Sequence, residues 1–168
     1  MKLALAMLAA ALLAQAEIAP AREFKELRGT WVRNETAGQG RIGGLPVAQT
    51  LTIATTATEL TLTKDGGDDV YRLDGQDTIL GDTVKRVTLV AGALAVTTRR
   101  TRHSRGYAFT NIVTDAYSVS GDVLTVDRQL SVAVQPDPDQ SGIEKRGHLV
   151  ELSEPANNRQ TIVYRRKP

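Results

Sequence analysis

From Val47 onward the apolar side chains fall at every second position, and most breaks between the apolar runs are too short to return a strand parallel to the last. Leu51 and Ile53 alternate with Thr50 and Thr52, and Leu60 and Leu62 alternate with Thr61 and Thr63. A period of two puts alternate side chains on opposite faces of a strand. Val70–Leu73, Thr83–Val90, Ala93–Thr98, Tyr107–Val119, Val123–Val134, His148–Leu152 and Thr161–Arg165 continue the strand signal. Turn-forming stretches separate them: Asp65-Gly66-Gly67, Asp74-Gly75, Ala91-Gly92 and Gly121-Asp122, with longer breaks at 135–142 and Pro155–Asn158. A parallel crossover needs about a dozen residues or more, so these connections demand antiparallel neighbours. The chain therefore predicts an all-β fold of about nine or ten short strands joined in sequence. Such a meander closes into an up-and-down β-barrel, packs as a β-sandwich, or stays half open. Asp74-Gly75 is a hairpin dipeptide and predicts direct pairing of the strands on either side.

The segment before the strands adds an end to this body. Pro20–Arg28 reads as one or two helical turns, with Phe24 and Leu27 three apart on one face. Gly29 stops the turn, and Trp31, the one tryptophan of the chain, follows on the first strand. Gly29 and Trp31 are thus expected to plug one end of a barrel or sandwich. Residues 37–46 carry Gly38, Gly40, Gly43 and Gly44 and show no amphipathic helix of useful length.

Met1-Lys2, an unbroken apolar run from Leu3 to Leu13 and Ala14-Gln15-Ala16 have the order of a cleavable export signal over residues 1–16. The expected mature chain starts at Glu17, with a cut after Ala21 as the alternative, and forms a single domain over 17–168. The apolar run falls short of the roughly 20 residues of a transmembrane helix, and no later segment approaches that length. An exported, periplasmic or secreted protein is the expectation. The chain has no cysteine, which removes thiol chemistry, thiolate metal sites and lipid attachment through a cysteine. With 21 basic and 19 acidic side chains the charge is nearly balanced, unlike that of a nucleic-acid-binding domain.

At this point the chain resembles the calycins, the lipocalin and fatty-acid-binding superfamily, and in particular exported bacterial lipocalin-like proteins. Phe24-Lys-Glu-Leu-Arg-Gly-Thr-Trp31 is similar to their opening, a helical turn followed by G-x-W on the first strand. Thr114-Asp115-Ala116-Tyr117 is similar to the second lipocalin motif, T-D-Y, with alanine in the tyrosine slot. The resemblance implies an arginine packed across the tryptophan ring, and Arg128, Arg165 and Arg166 are the candidates. Intracellular fatty-acid-binding proteins carry R-x-Y near the C-terminus to hold a carboxylate. Here that stretch is Ile162-Val163-Tyr164, which points to a neutral or hydrogen-bonding ligand. Their two-helix lid has no counterpart in the glycine-rich stretch after the first strand.

Chemistry-bearing constellations are sparse. His103 and His148 are the two histidines, and there is no G-x-S-x-G elbow, so the expectation is no enzyme and no cofactor. Asp137-Pro-Asp139-Gln-Ser141-Gly142 has the opening spacing of a calcium loop, but the closing acid is replaced by His148, and the stretch reads as a solvated turn without metal. Arg99, Arg100, Arg102 and Arg105 form a basic run expected at a hairpin tip, where it would meet an anionic envelope surface or simply keep a strand end soluble. Along the longest strand, Tyr107, Phe109, Asn111, Asp115 and Tyr117 share one face if the register is unbroken. With Tyr71 from an earlier strand they would make a mostly apolar cavity wall with a few polar groups. A bulge that turns the polar pair outward is the alternative. The function expected is a monomeric, non-catalytic binder of a small, partly hydrophobic molecule in a barrel lumen. The second reading is an envelope interaction protein with a filled lumen.

Overall fold

Alternating Thr/Leu and Val/polar segments become ten strands in a computed structural model that describes residues 21–39, 42, 45–65, 67–90, 93–104, 106–136 and 158–168. The export signal at 1–16, Arg105, the Asp137–Gly142 loop and the segment His148–Leu152 lie outside the described residues. A 3₁₀ helix, Ala21–Leu27, leads into β1 (Gly29–Arg33). Then come β2 (Thr50–Thr55), β3 (Glu59–Lys64), β4 (Gly67–Arg72), β5 (Thr78–Leu80), β6 (Thr83–Val90), β7 (Ala93–Ser104), β8 (Tyr107–Ser120), β9 (Val123–Pro136) and β10 (Arg159–Arg166). All lie in one antiparallel sheet of order β4-β3-β2-β1-β10-β9-β8-β7-β6-β5. The sheet curls until β4 approaches β6, giving an up-and-down near-barrel rather than two stacked sheets.

Among the described residues no ladder joins β4 to β5 or β6. Gly75 takes a positive φ of 73°, so Asp74-Gly75 does turn the chain. The expected hairpin is nevertheless absent. The Asp74 carboxylate accepts the N–H of Gln76 at 3.0 Å and pairs with Arg72, which fixes a local turn. The chain past it pairs forward, β5 with β6, so β4 and β5 are the two free edges. β5 was invisible to the sequence pattern because its three residues are too few to show a period. The last strand closes the order: β10 pairs with β9 on one side and β1 on the other.

The helix packs against the start of β1. Phe24 and Leu27 are buried, and Trp31 is fully buried at 0% exposure. The indole Nε1 donates to the Leu27 carbonyl at 2.8 Å, satisfying a polar atom that would otherwise be stranded. Of the three candidate arginines it is Arg166 that covers the ring, its guanidinium 4.2 Å from the ring centroid. Trp31 and Arg166 are cross-strand neighbours in the β1–β10 ladder, which sets that contact. Arg166 also donates to the carbonyls of Arg28 and Glu26, both at 2.8 Å. Gly29 is required here: φ is +127°, and an added Cβ would stand 3.0 Å from Arg166 Nη1.

Candidate functional site

Inward side chains of the neighbouring strands form a close-packed apolar layer next to the plug, from Leu60, Leu62, Leu94 and Leu124 among others. Beyond it the interior opens into a cavity of about 290 Å³. Its apolar walls include Leu51, Val96, Val113, Val126 and Ile162. Its polar groups come from strand positions that the period of two also points inward.

Asp115 and Arg128 are directly opposite on β8 and β9. Arg128 grips the carboxylate with both arms, Nε to Oδ1 at 2.7 Å and Nη2 to Oδ2 at 2.9 Å, and Nη1 donates to the Pro46 carbonyl at 3.0 Å. The two side chains are 8% and 10% exposed. Burial alone would lower the Arg128 pKa, but the hydrogen bond and charge of Asp115 outweigh it and raise it. Around this neutral pair stand Tyr71, Tyr117 and Tyr164. Burial, reinforced by the Asp69 charge, raises the Tyr71 hydroxyl. Burial and then Asp115 raise Tyr117 well above its ordinary value. Burial pushes Tyr164 up to about 12, and its hydroxyl donates to the Ala48 carbonyl at 3.1 Å. All three stay protonated at neutral pH, and the one O–H of Tyr164 is already given to Ala48.

A second polar group stands where β4 meets β6. Lys85 Nζ is 2.6 Å from Asp69 Oδ1 and 5.0 Å from the centre of the Tyr71 ring. Lys64 lies 3.7 Å from the other Asp69 oxygen. All three line the cavity.

The expected ligand-wall residues divide. β8 pairs without a bulge with both neighbours, so Tyr107, Phe109, Asn111, Asp115 and Tyr117 do share a face. Tyr71, Asp115 and Tyr117 line the cavity; Tyr107, Phe109 and Asn111 do not. The difference is position along the strand. Among the described residues the β9–β10 ladder runs to Gln129, opposite Thr114 of β8, with one further bond from Leu130 N–H to the Asn158 carbonyl, and the rows at Asn111, Phe109 and Tyr107 lie farther along β8 than the cavity lining. Tyr107 and Phe109 instead meet each other, rings 6.4 Å apart. Arg128, Tyr164, Asp69 and Lys85 are cavity groups that were not anticipated. Arg128 had a signal: a two-residue turn at Gly121-Asp122 fixes the β8–β9 register and places it opposite Asp115.

The basic run is corrected as well. Arg99, Arg100 and Arg102 belong to β7, which runs on to Ser104; they are strand residues and not a tip. Alternation with Thr97, Thr98 and Thr101 lets the strand continue against β8. Arg99 and Arg86 share Asp77, at 2.8 and 2.7 Å, and Arg100 pairs with Asp82 at 2.8 Å. The hydrogen bond from Arg86 comes first in holding Asp77 below the usual carboxylate range, and that from Arg100 does the same for Asp82. Arg102 is exposed.

Among the described residues no helix is long and apolar enough to cross a membrane, and no group of three or more His, Asp or Glu converges as a metal site. No protein-family model matches the chain, and no curated protein matches it. Fold and cavity define its class as a lipocalin-like antiparallel up-and-down near-barrel. Among solved structures it is similar to a "secretary abundant heat soluble (SAHS) protein from Ramazzottius varieornatus (from dimer sample)", with a TM-score of 0.51 and 12% identity over 85% of this chain and 96% of that one. At that identity the likeness establishes the fold.

Proposed function

We propose that this chain is an exported, non-catalytic bacterial carrier, monomeric, that binds one small, partly hydrophobic ligand in the barrel cavity. The observation that carries the reading is the cavity itself: about 290 Å³, apolar on most sides, with polar atoms converging at Asp115, Arg128 and the three tyrosines. Its size is at the low end of the roughly 300–1,000 Å³ of small-molecule sites. The charge of Arg128 is already taken by Asp115, so the inner end favours a neutral ligand. The Tyr71 and Tyr117 hydroxyls, which remain protonated, donate to a carbonyl, ether or hydroxyl oxygen, so the ligand carries such an acceptor on an apolar frame.

The decisive experiment is native mass spectrometry of protein purified from its own host. The expected result is a species bound at one per chain and released on denaturation, with an intact mass that starts at Glu17. A hydrophobic dye should bind with the same stoichiometry and be displaced by that species. Tyr117→Phe should weaken ligand binding while leaving dye binding nearly unchanged. Protein that carries no species and takes up no dye overturns the carrier reading.

A further inference from the structure

Asp115 and Arg128 face the cavity as a closed pair, opposite each other on β8 and β9. We propose that Asp115 is the charge selector of the cavity: from within the chain it fills a carboxylate-binding site on Arg128, and so favours neutral ligands over acids. The proposal rests on reading the cavity as a ligand site and names the residue that sets the ligand's charge.

A planar guanidinium presents parallel N–H bonds that match the two oxygens of a carboxylate. Arg128 turns that edge to Asp115, Nε to Oδ1 at 2.7 Å and Nη2 to Oδ2 at 2.9 Å. Its Nη1 donates to the Pro46 carbonyl at 3.0 Å, which fixes the plane of the group. An acid in the cavity would find this edge covered and would stand beside a second carboxylate that is 8% exposed. Displacing Asp115 would strand that carboxylate, so the acid exchanges one pair for another and gains little. The other cations of the lining, Lys64 and Lys85, already share Asp69, at 3.7 and 2.6 Å. A neutral amide, ketone or alcohol can take a hydrogen bond from Tyr117 and leave the Asp115–Arg128 pair intact. Stability alone does not account for the pair, because well-packed apolar residues hold such a buried row as well or better. What the two charges supply is discrimination, through an element that repels the wrong ligand.

Octanamide and octanoate have nearly the same shape and differ in charge. Competition against a neutral hydrophobic dye gives the affinity of each. The unaltered chain should bind octanamide at least about tenfold better, the low end for a close charge interaction. Asp115→Ala leaves the guanidinium edge open and should reverse the preference. Asp115→Asn keeps the volume and should shift the ratio the same way by less. Adding Arg128→Met to Asp115→Ala should cancel the gain for octanoate and keep octanamide binding. Acetate should also raise the urea midpoint of Asp115→Ala, as a ligand of the folded state does, and leave that of the unaltered chain where chloride of equal ionic strength leaves it. If Asp115→Ala is unfolded in chloride, acetate should restore its near-ultraviolet circular dichroism. An octanoate-to-octanamide ratio unchanged in both position-115 variants overturns the selector and leaves the carrier reading standing, as does a gain for octanoate that survives Arg128→Met. Dye and octanamide that both fail to bind the unaltered chain overturn the carrier reading. Acetate rescue of Asp115→Ala then still supports a carboxylate site on Arg128 filled from within, and its absence overturns that too.

Discussion

Trp31 and Arg166 join the helix, the first strand and the last. The indole fills the barrel end, its N–H returns to the Leu27 carbonyl, and the guanidinium closes the ring face while holding the last carbonyls of the helix. Trp31→Ala should cost about 3–5 kcal/mol, read as a lower urea midpoint. A solvent-like tryptophan emission in the native state would contradict the burial. Asp115 and Arg128 pose a different case. Removing one member strands a buried charge, so Asp115→Ala should cost about 3–5 kcal/mol, whereas the paired apolar replacement Asp115→Leu with Arg128→Met should lie near neutral. Denaturant curves of the two variants check this, and equal losses would mean that the pair's other hydrogen bonds matter more than its charges. At this scale the sequence was legible where a residue has one sensible environment. A lone tryptophan after a helix-stopping glycine is such a residue. An arginine is not: its long stem reaches in several directions, so choosing Arg166 among three needed the β1–β10 register.

Strands were legible wherever the alternation lasted, which covers β2, β3, β6, β8 and β9. It misled at two places for opposite reasons. Asp74-Gly75 has hairpin chemistry, but the local turn around the Asp74 carboxylate satisfies it without joining β4 to β5. The arginines of β7 read as a loop because four charges in seven residues suggest solvent; cross-strand threonines and the acids Asp77 and Asp82 let them sit in a ladder. Both acids have folded pKa values below those of the free side chain, so their stabilisation is present above the unfolded carboxylate pKa and lost as pH falls through the folded values. Being exposed, such pairs count for little, and Arg100→Ser should leave the urea midpoint nearly unchanged. Tyr107, Phe109 and Asn111 were assigned to the right face and the wrong depth. Side-chain alternation reports direction and says nothing of how far along the strand the cavity lies.

At the scale of the whole molecule three buried tyrosines link barrel integrity to pH. Their folded pKa values are raised, so the stability tied to their protonated form is complete below about pH 10, where a free tyrosine begins to ionise, and declines as pH rises toward the folded values. Each should remove about 1.4 kcal/mol per pH unit in that window. Phenolate absorbance followed during an alkaline titration should therefore rise cooperatively with loss of the near-ultraviolet circular dichroism signal; independent, gradual ionisation would show that the hydroxyls are not held. The order of the sheet has a further consequence. β1 lies against β10, so residues as far apart as Arg28 and Arg166 must find each other before the barrel can finish, and that one non-local pairing among sequential ones slows folding. The molecule already carries its own alternative wiring. A circular permutant that joins the last strand to the 3₁₀ helix through a short linker and opens the chain between β4 and β5 would make the β1–β10 junction local and place the new ends where no ladder crosses among the described residues, and it should reach the same fold faster in a stopped-flow refolding experiment.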